Sequence, residues 1–514
     1  MTPILQSFSQ GRWQSGGDET SPLLDASTGE EIARIPRVGP DVAAMLQFAR
    51  KIGGPEIRKL TFTQRAAILK DLGKYLFGHI EEFAALSSRT GATRRDSAVD
   101  VDGGIGTVAV FASKGGRELP DSTILHDGDI ELLGKGGTFG GRHIYSSKLG
   151  VAVQINAFNF PVWGMLEKFA PAFLAGMPSV VKPASQTAYL TEAVVRKIEE
   201  SRLLPEGAIS LLCAGPAGLI ENLTGQDTVA FTGSASTAQS LRSHEVVTGR
   251  SVSFNAEADS LNCSILGTDI VPEDDEFGIF VDQVVNEMVI KAGQKCTAIR
   301  RAFVPISIID EVAEAISARL AQTTVGNPMD PSVHMGPLAS LAQRTEVRNN
   351  VQKLLGAAQV VFGSTDAVKV VGADAENGAF LSPILLRADD VFASQIHSVE
   401  AFGPVCTLLP YRTFGEVIDA AAMGEGSLVG SIVTTDPALA KVLVAGLAPW
   451  HGRLLVVDSS NVGESTGHGL VMPQMLHGGP GRAGGGEELG GLRSLSRYMQ
   501  HTAVQGHPDF LNKL

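Results

Sequence analysis

The 514-residue chain is poor in cysteine, in charge and in aromatic residues. Its four cysteines, Cys213, Cys263, Cys296 and Cys406, form no CxxC pair and have no histidine couplet beside them. Neither a disulfide framework nor a structural zinc site is expected, and no metal is assigned. Charged residues make up 19% of the chain, below the roughly 25% usual in soluble domains, while 44% of it is hydrophobic. That balance favours a large interior over disorder. The formal charge of -13 comes from 42 basic against 55 acidic residues, and no Lys/Arg cluster interrupts it. A nucleic-acid partner and an anionic membrane surface both lack the cationic footprint they would need. No uncharged apolar run reaches about 18 residues, and the N-terminus shows no basic start followed by an apolar stretch. The expected compartment is the cytoplasm.

Glycine, by contrast, is abundant at 58 residues and follows no Gly-X-Y period, which suits tight turns and close backbone approaches in an α/β protein. Residues 22–36 read as two short strands around a turn, and helical periodicity follows over 40–53 and 63–90. Residues 126–150 alternate like strands but are broken by glycines, as in a hairpin that extends from a body. From 151 to 233 short apolar runs, VAVQINAF, MPSVVKP, AISLLC and TVAFTG, alternate with helical stretches. This β-α-β-α-β-α-β order predicts a parallel sheet with right-handed crossovers, whose ligands sit at the carboxyl ends of the strands. A second alternating series over about 261–460 predicts a second α/β unit. The glycine-dense stretch GGPGRAGGGEELGG precedes a strand or helix near SLSRYMQHTAVQG, which is expected to dock on the body.

Taken singly, the chemistry-bearing residues are weak signals. Cys296 lies in the polar stretch VIKAGQKCTAIRR, yet a lone cysteine is more often a small core residue than a nucleophile. FTGSAST follows a strand and opens a helix, where Gly233 and Ser234 either meet a phosphate or simply cap the helix. Lys182 and Ser185 of KPAS end another strand, where a solvated lysine is the commoner case. Glu257 lies near the junction of the two units, where burial would raise its pKa toward that of a general base. Asn159 in FNFP is placed to donate to an oxyanion or to form a turn.

It is their order that changes the odds. FNFP, VVKPAS, AFTGS, the Glu257 segment, GQKC, VGNPMD with MGPL, and EAFGP follow one another along nearly the whole chain. That succession resembles the aldehyde dehydrogenase superfamily. The resemblance implies a Rossmann-like cofactor domain over 1–125 and 151–257, an α/β catalytic domain over 258–477, and a β oligomerisation segment from 126–150 with 478–514. It implies a homodimer or tetramer. By the same resemblance Cys296 matches the nucleophile, Glu257 the general base and Asn159 the oxyanion donor. Lys182 matches the ribose contact, Gly233 and Ser234 the pyrophosphate loop, Glu400 and Phe402 the nicotinamide-side contacts, and Glu488 an auxiliary carboxylate.

Three departures are informative. Phe158 stands where the family usually has Trp, and FNAEADSLN replaces the glycine-rich stretch around the base. Ser185 is neutral where NAD-preferring relatives carry Glu, which favours NADP. GQKCTAIRR and the glycine-dense tail are most similar to the CoA-semialdehyde dehydrogenases of aerobic benzoyl-CoA degradation, acting on 3,4-dehydroadipyl-CoA semialdehyde, and to the dehydrogenase domain of phenylacetate ring-opening enzymes. The latter usually carry a fused hydratase, for which 514 residues leave no room, so the stand-alone type is the expected match. An acylating dehydrogenase, a cysteine hydrolase and a non-catalytic protein that kept the fold remain as alternatives.

Overall fold

A computed structural model describes residues 2–514. Its first sheet has seven strands, of which Ser253–Glu257, Thr228–Thr232, Ala152–Ile155, Ser179–Lys182 and Ile209–Leu211 run parallel in that spatial order. Ser7–Ser9 and Arg12–Gln14 extend its far edge antiparallel. Alternate side chains serve opposite faces, as the pleat requires. Ala152 and Val181 pack beneath the helices Phe62–Phe77, Gly103–Glu118 and Trp163–Ala175, while Val151, Val153 and Val180 pack with Met45 and Leu46 on the other face. Burial on both faces explains why these strands read as unbroken apolar runs.

The chain crosses from Ala152–Ile155 to Ser179–Lys182 in one direction, then returns to place Thr228–Thr232 on the other side. The carboxyl ends of Ala152–Ile155 and Thr228–Thr232 thus flank a topological switch point, where the strands diverge and leave a crevice. The strand expected over 151–158 stops at Ile155, which frees Asn156 and Asn159 to line that crevice.

The second sheet also has seven strands, centred on Arg301–Pro305 between Val405–Tyr411 and Cys263–Leu266. Six of its strands are parallel, and Gln359–Phe362 closes one edge antiparallel. The arm is a hairpin of Ile124–Leu132 and Gly140–Ser147, and Met499–Gly506 adds a third strand to it. The stretch near SLSRYMQHTAVQG is both of the alternatives read from sequence: a 3-10 turn over Gly491–Tyr498 and then that strand. No described helix is long and apolar enough to cross a membrane.

The glycine-dense tail divides into two parts. Before the arm strand, Leu476–Gly479 pairs antiparallel with Gly486–Leu489, and this ribbon lies against the edge strand that ends in Glu257. The approach is so close that a Cβ on Gly486 would fall 2.1 Å from the carbonyl oxygen of Ala256. Gly486→Val should therefore push the ribbon off its neighbour and cost about 3 kcal/mol, within the range for overpacking. A thermal melt of the purified variant checks this, and an unchanged melting temperature would contradict it.

Candidate active site

The segment that carries Cys296 is held in an unusual backbone conformation. Lys291, Ala292 and Gly293 have φ of 56°, 50° and 66°, three successive left-handed residues of which two carry a Cβ. Such residues are strained and persist only where their surroundings over-determine them. Here Asp96 Oδ1 accepts the Lys291 N–H at 2.8 Å. The buried Arg300 guanidinium donates to the carbonyls of Gly293, Lys295 and Gly403, and Lys295 pairs with Glu287 at 2.8 Å. Asn262 Nδ2 donates to the Cys296 carbonyl at 2.7 Å. Gly293 is required, since its Cβ would meet the Gly403 oxygen at 2.1 Å. The result is a half-buried thiol on a rigid turn, whereas Cys213, Cys263 and Cys406 are buried.

Cys296, Asn159, Thr232 and Glu257 form a wall shared by two cavities. The smaller, about 240 Å³, runs past Phe160, Trp163 and Leu470. The larger, about 700 Å³, occupies the switch-point crevice and is lined by Gly233, Ser234, Glu400 and Phe402. Asn159 Nδ2 gives one hydrogen to the Gln294 carbonyl at 3.1 Å. Phe158, in place of the expected Trp, meets Phe402 edge-on with centroids 6.0 Å apart.

The larger cavity fits a nucleotide cofactor by its unsatisfied groups. Thr232 Oγ1 and both amide atoms of Asn156 are buried without a hydrogen-bond partner, as is Glu400 Oε1. Buried polar atoms of this kind call for a ligand or water. Burial raises the Glu400 carboxyl to about 7 despite Arg300 at 3.4 Å.

The structure qualifies three of the expected cofactor positions. Ser234 does cap the helix Ala235–Arg242, accepting from the Thr237 N–H, and Asp259 already accepts the Ala235 N–H at 2.9 Å. Lys182 is buried and donates to the Pro183 carbonyl at 2.7 Å. Ser185 is exposed and lines a neighbouring cleft of about 500 Å³ together with Arg37 and Gly215.

One expectation needs correction. Burial by itself would raise the Glu257 pKa, but the carboxyl is held below its ordinary range because His477 Nε2 lies 3.3 Å from Oε1. His477 is also 3.6 Å from Cys296 Sγ, and its Nδ1 lies 3.0 Å from Glu167. Neither His477 nor Glu167 was singled out from sequence. Glu167 and its neighbour Lys168, which pair at 3.0 Å, did leave a signal: they are the only charged residues in the otherwise apolar helix Trp163–Ala175. His477 left none.

Glu488 sits directly across the tail ribbon from His477. It accepts from Asn255 at 2.7 Å, and burial raises its carboxyl to about 7. Burial pushes the Cys296 thiol up to about 12, with Glu257 adding to the effect and His477 opposing it.

The chain matches the aldehyde dehydrogenase family over residues 13–504, and it belongs to that family. It is an oxidoreductase acting on an aldehyde, in a family that uses NAD or NADP. It is 44% identical to the 3,4-dehydroadipyl-CoA semialdehyde dehydrogenase of Aromatoleum evansii, over 93% of each chain. Among solved structures, Escherichia coli lactaldehyde dehydrogenase superposes with a TM-score of 0.84 at 23% identity, over 98% of this chain and 99% of the other. A betaine aldehyde dehydrogenase from Staphylococcus aureus, solved with NAD+, gives 0.84 at 22% identity, over 98% and 97%. These neighbours establish an aldehyde dehydrogenase fold.

A raised carboxyl pKa has a consequence for stability. The folded state binds the Glu488 proton more tightly than the ordinary value of 4.5 would allow, so the stabilising contribution is complete below that pH and is lost as pH rises through about 7. Glu488→Gln, which keeps the acceptor for Asn255 but cannot ionise, should lose less stability between about pH 5 and pH 8. At the upper end the difference should be about 3 kcal/mol. Parallel pH series of thermal melts for both proteins give the comparison, and superimposable curves would refute it.

Proposed function

We propose that this enzyme oxidises a CoA-linked semialdehyde of the 3,4-dehydroadipyl-CoA type to its carboxylic acid, with NADP as hydride acceptor, in aromatic (benzoate) catabolism. One observation carries the catalytic part: a single wall, bearing Cys296, Asn159 and Glu257, faces both an aldehyde-sized cavity and a nucleotide-sized one. Aldehyde and nicotinamide can then meet the same sulfur from opposite sides. The substrate class rests on the likeness to the Aromatoleum evansii enzyme.

In this reading the Cys296 thiolate attacks the aldehyde carbon and forms a thiohemiacetal. The Asn159 N–H not given to Gln294, with the Cys296 backbone N–H, stabilises the oxyanion. NADP, held by Lys182, Ser185, Gly233, Ser234, Glu400 and Phe402, supplies the hydride acceptor when bound. Glu257 takes a proton from water as the Cys296 thioester is hydrolysed. Glu488 serves as an auxiliary carboxylate that stores a proton behind it. No metal is assigned to the site. NADP is favoured over NAD because Ser185 is neutral and Arg37 lines the same cleft, where a 2'-phosphate would be attracted and a carboxylate at position 185 would repel it.

The three-stranded arm, whose hairpin exposes Leu132, Leu133 and Phe139, is read as the contact that builds a homodimer or tetramer. The working compartment is read as the cytoplasm, and no nucleic acid or membrane takes part.

The reading is tested by nicotinamide reduction with an unsaturated six-carbon CoA semialdehyde against hexanal, each with NADP and with NAD. A strong preference for the CoA substrate with NADP, and a free acid as product, is expected. Activity on hexanal alone would remove the substrate assignment, and a CoA thioester product would favour the acylating alternative. Cys296→Ala should abolish turnover, whereas Glu257→Gln should give a burst of reduced cofactor followed by a stalled thioester. Ser185→Glu should cut the NADP/NAD ratio of kcat/KM roughly tenfold or more, as expected for one added like charge near a phosphate. An unchanged ratio would dissociate Ser185 from cofactor choice.

A further inference from the structure

We infer that His477, oriented by Glu167, is a further catalytic residue that stabilises the Cys296 thiolate as a thiolate–imidazolium pair. The order of contacts is that of an activated nucleophile: thiol, imidazole, carboxylate. Cys296 Sγ lies 3.6 Å from His477 Nε2, and His477 Nδ1 lies 3.0 Å from Glu167 Oε2. The Glu167 carboxylate also accepts from the Trp163 indole and from Lys168, both at 3.0 Å, so its position is fixed from three sides. A carboxylate at Nδ1 keeps the proton there and turns Nε2 toward the sulfur.

The geometry favours the imidazolium, since the two ring nitrogens of His477 lie 3.0 Å from the Glu167 carboxylate and 3.3 Å from the Glu257 carboxylate. Glu167 and Glu257 are both held as anions in a buried site, and Lys168 is the one other cation packed among them. Unpaired buried charge is costly, so the second anion needs a second cation. Among the described residues, Glu257 accepts no hydrogen bond of good geometry, and its ion pair with His477 at 3.3 Å is its one close contact with a charged donor. The titratable groups facing His477 are Cys296, Glu257 and Glu167, with Glu488 beyond them and Lys168 paired to Glu167. The two glutamates outweigh burial and hold the ring protonated. Cys296 Sγ, a Glu257 carboxylate oxygen and a His477 ring nitrogen all lie within 4.8 Å of one another.

In the attack step the Sγ–H bond breaks and the S–C bond to the aldehyde carbon forms. The thiol proton leaves to solvent water through the adjoining cavity, so that Glu257 stays ionised for the hydrolysis step, and the carbonyl π electrons move onto the oxygen. His477 keeps both ring protons throughout. Its positive charge faces the sulfur while the sulfur is anionic, which counters the burial and the Glu257 repulsion that hold the thiol protonated.

Alkylation by iodoacetamide tests this on the full chain without cofactor or aldehyde, so its result is independent of the substrate and NADP assignments. Cys296 is the one half-buried thiol, and Cys296→Ser supplies the blank. His477→Asn should slow alkylation roughly tenfold or more at about pH 7.5 and move the pH profile of the rate upward, since the thiolate is the reacting form. Glu167→Gln keeps the imidazole but weakens its charge, and should shift the profile in the same direction by less. Where His477→Asn fails to fold, Glu167→Gln reads the same quantity. A merely structural role would lower the melting temperature and leave the thiol titration in place. An unshifted profile in a folded variant would overturn the inference.

Discussion

The site is organised around the Glu167 carboxylate. It is 2% exposed, carries a charge inside a helix packed on all sides, and survives there because an indole, an ammonium and an imidazole each donate to it. Burying a charge is tolerable only when such partners are complete. Through them one carboxylate links the helix Trp163–Ala175, the tail ribbon bearing His477 and, one contact further, both Glu257 and Cys296. Removing the carboxylate, the ammonium or the imidazole would leave an uncompensated charge in a low-dielectric interior.

The same logic governs the Cys296 turn. Three left-handed residues in succession would not persist in an isolated peptide. They are imposed by Asp96 of the helix Arg94–Ser97 and by Arg300, just before the strand Arg301–Pro305, whose guanidinium also grips the Gly403 carbonyl beside Phe402. The thiol is thereby set at a wall between two cavities, and the groups on either side are fixed by the same clamp. Preorganisation of this kind supports acyl-transfer chemistry, because the donors need not reorganise as charge develops.

Much of the fold was legible in the sequence. Strand runs buried on both faces, helices with a 3.6-residue period and turns marked by glycine are local signals, and the alternating elements of 151–233 fall where periodicity placed them except that the first strand stops at Ile155, whereas the second-sheet strands Ile384–Arg387, Val405–Tyr411 and His451–Val457 were not singled out. The site was legible in part. Asn159, Glu257 and Cys296 sit together, and Gly233, Glu400 and Phe402 line the adjoining crevice. Ser185 opens instead on a neighbouring cleft, and Ser234 spends its side chain as a helix cap.

Residue types, their spacing and the order of the motifs were enough to indicate an α/β architecture and a family, and to nominate Cys296 as the nucleophile. They could not determine the charge state of Glu257, because that depends on His477, 220 positions away. Nor could they show that His477 meets Glu167, 310 positions apart, since that contact requires the tail ribbon to lie against the first sheet. Periodicity reports how a segment folds on itself, whereas electrostatic coupling depends on distance through space. Only the tertiary structure sets those distances, and with them which buried groups ionise.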